Sequence, residues 1–107
     1  MQPNDGDLLV ATRDIAAKGI AGTNSKSQVN FHCTIPSGMV LRCEGAPAPG
    51  ASSFWAVPKD RITYEKRLVP DDVRQQPEYG NAYWILVPLN VVGTDLKFVS
   101  RMGPPIP

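Results

Sequence analysis

The chain has little from which to build most kinds of active centre. It contains a single histidine, His32, and two cysteines, Cys33 and Cys43, in 107 residues. Any Ser-His-Asp or Cys-His mechanism would have to pass through His32. His32 and Cys33 are consecutive, so on a strand their side chains point to opposite faces and cannot readily pair as base and nucleophile. One His and two Cys also fall short of the four ligands of a structural zinc site, and no CxxC spacing occurs, so no metal is expected. Two cysteines are too few for the disulfide framework of a small secreted domain, which makes reduced, buried thiols the expected state.

Phosphate-cradling glycine motifs are missing as well. Neither GxGxxG nor GxxxxGK[ST] is present, and Asp5, Asp7 and Asp14 do not have the spacing of a calcium-binding loop, so no cofactor is expected. Eleven Lys and Arg against ten Asp and Glu leave a formal charge of +1, far from the field that draws in a nucleic acid. The basic residues Arg61, Lys66, Arg67 and Arg74 are interleaved with Asp60, Glu65, Asp71 and Asp72 and read as a solvated mixed face. No run approaches the roughly 20 apolar residues that span a bilayer, and the opening MQPNDGDLLV has no basic segment followed by a long apolar one. A cytoplasmic protein with no membrane contact is expected.

What is present suits a small β structure. Apolar residues make up 42% and charged residues 20%, a balance able to fill one core and solvate its outside. Eleven prolines and nine glycines interrupt helices and favour short strands joined by turns. The reading is mainly β: a single small barrel or sandwich of five to six short strands with at most one short helix, spanning 7–101 between loose tails at 1–6 and 102–107.

The clearest strand is 29–35, where Val29, Phe31, Cys33 and Ile35 alternate with Asn30, His32 and Thr34. Pro36-Ser37-Gly38 then supplies a tight reversal, and 39–44 is expected to return beside 29–35 as a hairpin. Further strands are expected at 7–15, 54–57, 61–68, 83–87 and 96–101. The Gly- and Ser-containing segment 16–28 and the Pro-rich 45–53 read as loops. The only helix is expected within 69–78, with Pro70 at its first position and Asp71 and Asp72 at the positive end of its dipole. Adjacent positions on a helix diverge by about 100°, which argues against a shared catalytic site for those two acids.

The opening strand GDLLVATRDI, the long loop after it and the turn-to-strand passage IPSGMVLRCEG resemble the order of elements in SH3-like small barrels, over residues 6–101. The resemblance implies a barrel with exposed loops and carries no catalytic residue across, because that architecture serves many functions.

Aromatic residues are the feature with functional content. Trp55, Tyr64, Tyr79, Tyr83 and Trp84 flank proline-bearing turns. If Tyr83, Ile85 and Val87 face the core, Trp84 and Leu86 face the other side, where a ligand, a partner or a covering loop (16–28 or 69–82) must meet them. The candidate ligand-binding or interface residues are therefore Trp55, Tyr64, Tyr83, Trp84 and Leu86. Three readings follow. The first is a non-enzymatic binding or adaptor domain for a protein or small-molecule ligand. The second is a structural subunit that buries this face in a homodimer. The third is an enzyme with an unrecognised site drawn from Asp14, His32, Arg42 and Tyr64.

Overall fold

The computed structural model describes residues 2–22 and 28–101. The fold is mainly β. Seven strands, β1 (Leu8–Ala11), β2 (Ile15–Ala21), β3 (Val29–Ile35), β4 (Val40–Cys43), β5 (Ser53–Pro58), β6 (Tyr83–Pro88) and β7 (Leu96–Ser100), form one antiparallel sheet in the order β3-β2-β6-β5-β4-β1-β7. β3 and β7 are its two edges, so the sheet is not closed.

A single bent ribbon organises this order. Leu8 faces Arg42, Val10 faces Val40, Ile15 faces Ile35 and Ala21 faces Val29, with one register kept on both sides of an interruption at 12–14 and 36–39. At the interruption Gly38 N–H donates to the Ala11 carbonyl at 2.7 Å and Met39 N–H to the Pro36 carbonyl at 3.2 Å. Gly38 has φ +92°, a region that glycine enters without steric cost. Beyond the bend β2 turns to β6 and β4 to β5, so the paired strands β5 and β6 lie between the two arms of the ribbon.

Four local expectations are corrected by the structure. The expected strand 7–15 ends at Ala11, and Ile15 together with 16–21, read as part of a loop, forms strand β2. Ile15, Ala17, Gly19 and Ala21 are buried in strict alternation, and the small side chains that made the segment look loop-like leave room for the neighbouring strand. Gly19 shows this directly, because a Cβ there would sit 2.1 Å from the Phe31 ring of β3. Residues 23–27 of the expected loop lie outside the described residues. With β2 available as the partner of β3, the hairpin expected between 29–35 and 39–44 does not form, and β4 pairs with β1 and β5 instead.

The segment 61–68, read as a strand, is helix α1 (Arg61–Leu68). Its start is capped by Asp60, whose carboxylate accepts from Thr63 N–H at 3.4 Å and from the Thr63 hydroxyl at 2.7 Å. Helical spacing brings Leu68 into the core and packs half-buried Tyr64 against it, while Ile62 is 90% exposed. The helix expected across 69–78 shortens to α2 (Asp71–Arg74), with Pro70 as its cap, followed by a 3-10 turn at Pro77–Tyr79. Among the described residues no helix is long and apolar enough to cross a membrane.

The core fills the inner face of the sheet. Leu9, Leu41, Phe54, Tyr83, Ile85 and Val87 have 2% exposure or less, and Leu68, Val69, Val73 and Tyr79 cover them from the helical segment. Burying each large apolar side chain contributes about 1.5–3 kcal/mol, which makes this face the main source of stability. Residues 2–6, expected as an arm, are tied to the sheet end. Gly6 N–H donates to the Cys43 carbonyl at 2.8 Å, and Gly45 N–H donates to Asp5 Oδ1 at 2.8 Å. Buried Asp7 lies 3.4 Å from Arg101 Nε, and the Arg101 guanidinium donates to the Gln2 carbonyl at 2.9 Å. The expected tail at 102–107 lies outside the described residues.

Candidate functional site

β6 separates two environments by simple alternation. Tyr83, Ile85 and Val87 have no exposed surface, whereas Trp84 and Leu86 on the opposite face are half-buried. Register extends that opposite, outer face across the sheet. His32, Lys18, Leu86 and Trp55 are successive cross-strand partners on β3, β2, β6 and β5, and Asn30, Ile20 and Trp84 form the adjoining row on β3, β2 and β6. Such partners lie roughly 5 Å apart at Cβ, close enough for one ligand to touch several. Trp55 on this face stays 41% exposed.

Three adjoining depressions mark this face. The largest, about 670 Å³, is lined by Lys18, His32 and Leu86 together with Ala16, Pro88 and Leu89. A second, about 340 Å³, shares Lys18, His32 and Leu86 and reaches Ile20, Asn30 and Trp55. A third, about 350 Å³, lies between Trp55 and Trp84, with Glu44 at its edge. Glu44 is held by Arg42 at 2.7 Å, so its charge is already compensated. The Lys18 side chain makes no ion pair or hydrogen bond among the described residues.

Of the five residues singled out from sequence, the structure brings three together: Trp55, Trp84 and Leu86. Tyr83 is on the inner face, where burial pushes its hydroxyl up to about 12 against the opposing charge of Arg61. Tyr64 is on α1 and packs on the core. Trp84 is partly covered, and the cover is Arg61 at the start of α1, whose guanidinium lies 5.7 Å from its ring centre and 5.0 Å from that of Tyr83. Lys18 and Ile20 were missed by sequence reading because β2 passed for a loop. The available signal was the alternation of Ala16, Lys18 and Ile20 with Ile15, Ala17 and Gly19.

The residues considered for catalysis do not assemble as a set. Asp14 and His32 line a groove of about 380 Å³ between β3 and the end of α1, beside Cys33, Lys66 and Arg67. Asp14 Oδ1 accepts from Ser37 N–H at 2.9 Å, while Arg42 and Tyr64 lie elsewhere. Burial raises the Cys33 thiol to about 11, which keeps it protonated and a poor nucleophile at neutral pH. Cys43 is likewise raised to about 11, by burial first and then by the carboxylates of Asp7, Asp5 and Glu44. Both cysteines are free. Among the described residues no three His, Cys, Asp or Glu side chains gather closely enough to hold a metal ion.

No family model, curated protein or solved structure matches this chain.

Proposed function

We propose that this chain is a small non-enzymatic binding or adaptor domain whose recognition surface is the outer face of β2, β6 and β5. The observation that carries the reading is the exposed Trp55 at the junction of two depressions, in line with Leu86 and beside Trp84 and Ile20. Rigid aromatic and aliphatic groups on strands offer contact area at low entropic cost, and an uncovered apolar strip on an otherwise charged surface marks an interaction site. A reducing, cytoplasmic setting goes with this proposal, since Cys33 and Cys43 are unpaired. The SH3-like plan belongs to it too, on the strength of the strand-rich span and the bent ribbon.

The test is a fragment screen by amide NMR on the labelled protein. Hits that shift the amides of Ile20, Trp55, Trp84 and Leu86 support the surface, and hits confined to the groove beside Asp14 and His32 would move the function there. Sedimentation equilibrium covers the remaining reading: a tight dimer whose formation buries Trp55 would make the face a subunit interface.

A further inference from the structure

The chemistry of the outer face narrows the ligand. The largest depression is lined mostly by apolar surface from Ala16, Ala17, Leu86, Pro88 and Leu89, with Ser52, Ser53 and Asn90 beside them, and among the described residues its only charged lining residue is Lys18. Among the described residues Lys18 is also the only charged one lining the depression that leads to Trp55, and His32 is its direct cross-strand partner in both. Among the described residues no Asp or Glu lines either one. The acid on this face, Glu44, is at the far side of Trp55 and is engaged by Arg42. The ammonium of Lys18, without an acidic partner among the described residues, therefore leaves positive potential uncompensated at the head of an apolar trough.

We infer that this trough binds a small amphipathic carboxylate, with its anionic head at Lys18 and His32 and its apolar body over Leu86 toward Pro88 and Leu89. The ammonium offers three N–H donors and the imidazole a further one, enough for a single carboxylate. A polyphosphate would bring several negative charges to a depression with one charged lining residue among those described, which disfavours it. A trough of about 670 Å³ lies within the range of small-molecule sites.

The inference rests on the outer face being the recognition surface, and the experiment separates the two. Sodium octanoate and 1-octanol are titrated into the labelled protein, wild type and Lys18→Glu, while amide shifts are followed. Octanoate is expected to shift Lys18, His32, Leu86 and Leu89, and octanol to bind about fivefold more weakly. Lys18→Glu, at an exposed position, is expected to keep the native spectrum and lower octanoate affinity by about fivefold or more. Equal binding of the two probes, or an unchanged octanoate affinity in Lys18→Glu, overturns the carboxylate and leaves the surface standing. Shifts from neither probe while fragments still bind beside Trp55 also overturn the carboxylate alone. Silence of the whole face toward probes and fragments overturns both readings.

Discussion

Arg61 and Tyr83 hold each other at both ends. The Arg61 guanidinium donates to the Tyr83 carbonyl at 3.0 Å, and the Tyr83 hydroxyl donates to the Arg61 carbonyl at 2.8 Å. This reciprocal pair fastens the first residue of α1 to the first residue of β6, which carries the Trp84–Leu86 face. Tyr79, nearby in sequence, is equally buried, but its hydroxyl forms no hydrogen bond of normal geometry among the described residues. Burial, and then the close Glu65 carboxylate, raise its pKa well above the ordinary tyrosine range.

The two tyrosines should therefore respond unequally to loss of the hydroxyl. Tyr83→Phe is expected to cost about 1 kcal/mol or more, since it removes the hydrogen bond from the buried hydroxyl to the Arg61 carbonyl. Tyr79→Phe removes a buried hydroxyl that lies beside the Glu65 carboxylate without a hydrogen bond of normal geometry, so it is expected to cost less than Tyr83→Phe. Urea unfolding of both variants checks the order of the two costs.

Arg61→Ala strips the cation from the faces of Tyr83 and Trp84. A cation over an aromatic ring contributes about 0.5–1 kcal/mol at partly exposed sites, and the hydrogen bond to the Tyr83 carbonyl is lost with it. A modest destabilisation is expected, with greater acrylamide quenching of tryptophan fluorescence as Trp84 is uncovered. Unchanged quenching would show that Arg61 does not shield the ring.

Gly19→Ala tests the seat of Phe31. The new Cβ would meet three Phe31 ring atoms at 2.1, 2.2 and 2.8 Å, so the ring or the ribbon must move. Overpacking of this kind costs about 1–3 kcal/mol. The cost should shrink in a Phe31→Leu background, and a double-mutant cycle by urea unfolding measures the coupling.

Alkaline pH should destabilise the fold. Cys33 and Cys43 keep their protons to about pH 11 when folded, against an ordinary 9.0, and Tyr83 to about 12 against 10.0. Between those values the unfolded chain binds fewer protons than the folded one, so stability falls as pH rises. It is fully present below pH 9 and drops from there through 11 to 12. Thermal unfolding from pH 8 to 11 checks the slope. Iodoacetamide at pH 7.5 should label both thiols slowly in the native protein and rapidly in urea.

Asp60→Ala removes the side-chain cap of α1, a loss of about 1 kcal/mol. Asp60→Asn should recover part of it, because an amide oxygen can still accept from Thr63 N–H. Helical circular dichroism and the urea midpoint report the two together.

Where large apolar side chains alternate, the sequence was a good guide. In 83–87 and in Phe31 to Ile35 a strand has only one arrangement that buries its large groups, and both segments are strands with the expected faces. Sequence reading failed where the apolar signal was weak or double. In β2 small residues alternate, and they carry meaning only once Phe31 has to fit over Gly19. In 61–68 Ile62 and Tyr64 imitate a strand, but the Asp60 cap and the burial of Leu68 favour a helix, leaving Ile62 in solvent. The candidate site divides the same way. Trp84 and Leu86 were legible from period-two patterning on one strand, whereas their neighbours Lys18 and Ile20 depend on which strand lies alongside.

By itself the sequence determined a mainly β chain, the inward and outward sets of its strongest strands, and a lack of the residue sets that most catalysis requires. Those properties are local: side-chain period, turn chemistry and composition act within a few residues. Only the tertiary structure decided that Ile15–Ala21 would join β3 to β6, that β4 would leave its expected hairpin partner, and that Lys18, Leu86 and Trp55 would share a row. Strand pairing rests on backbone groups that every residue carries, so the choice among partners falls to packing across the whole sheet.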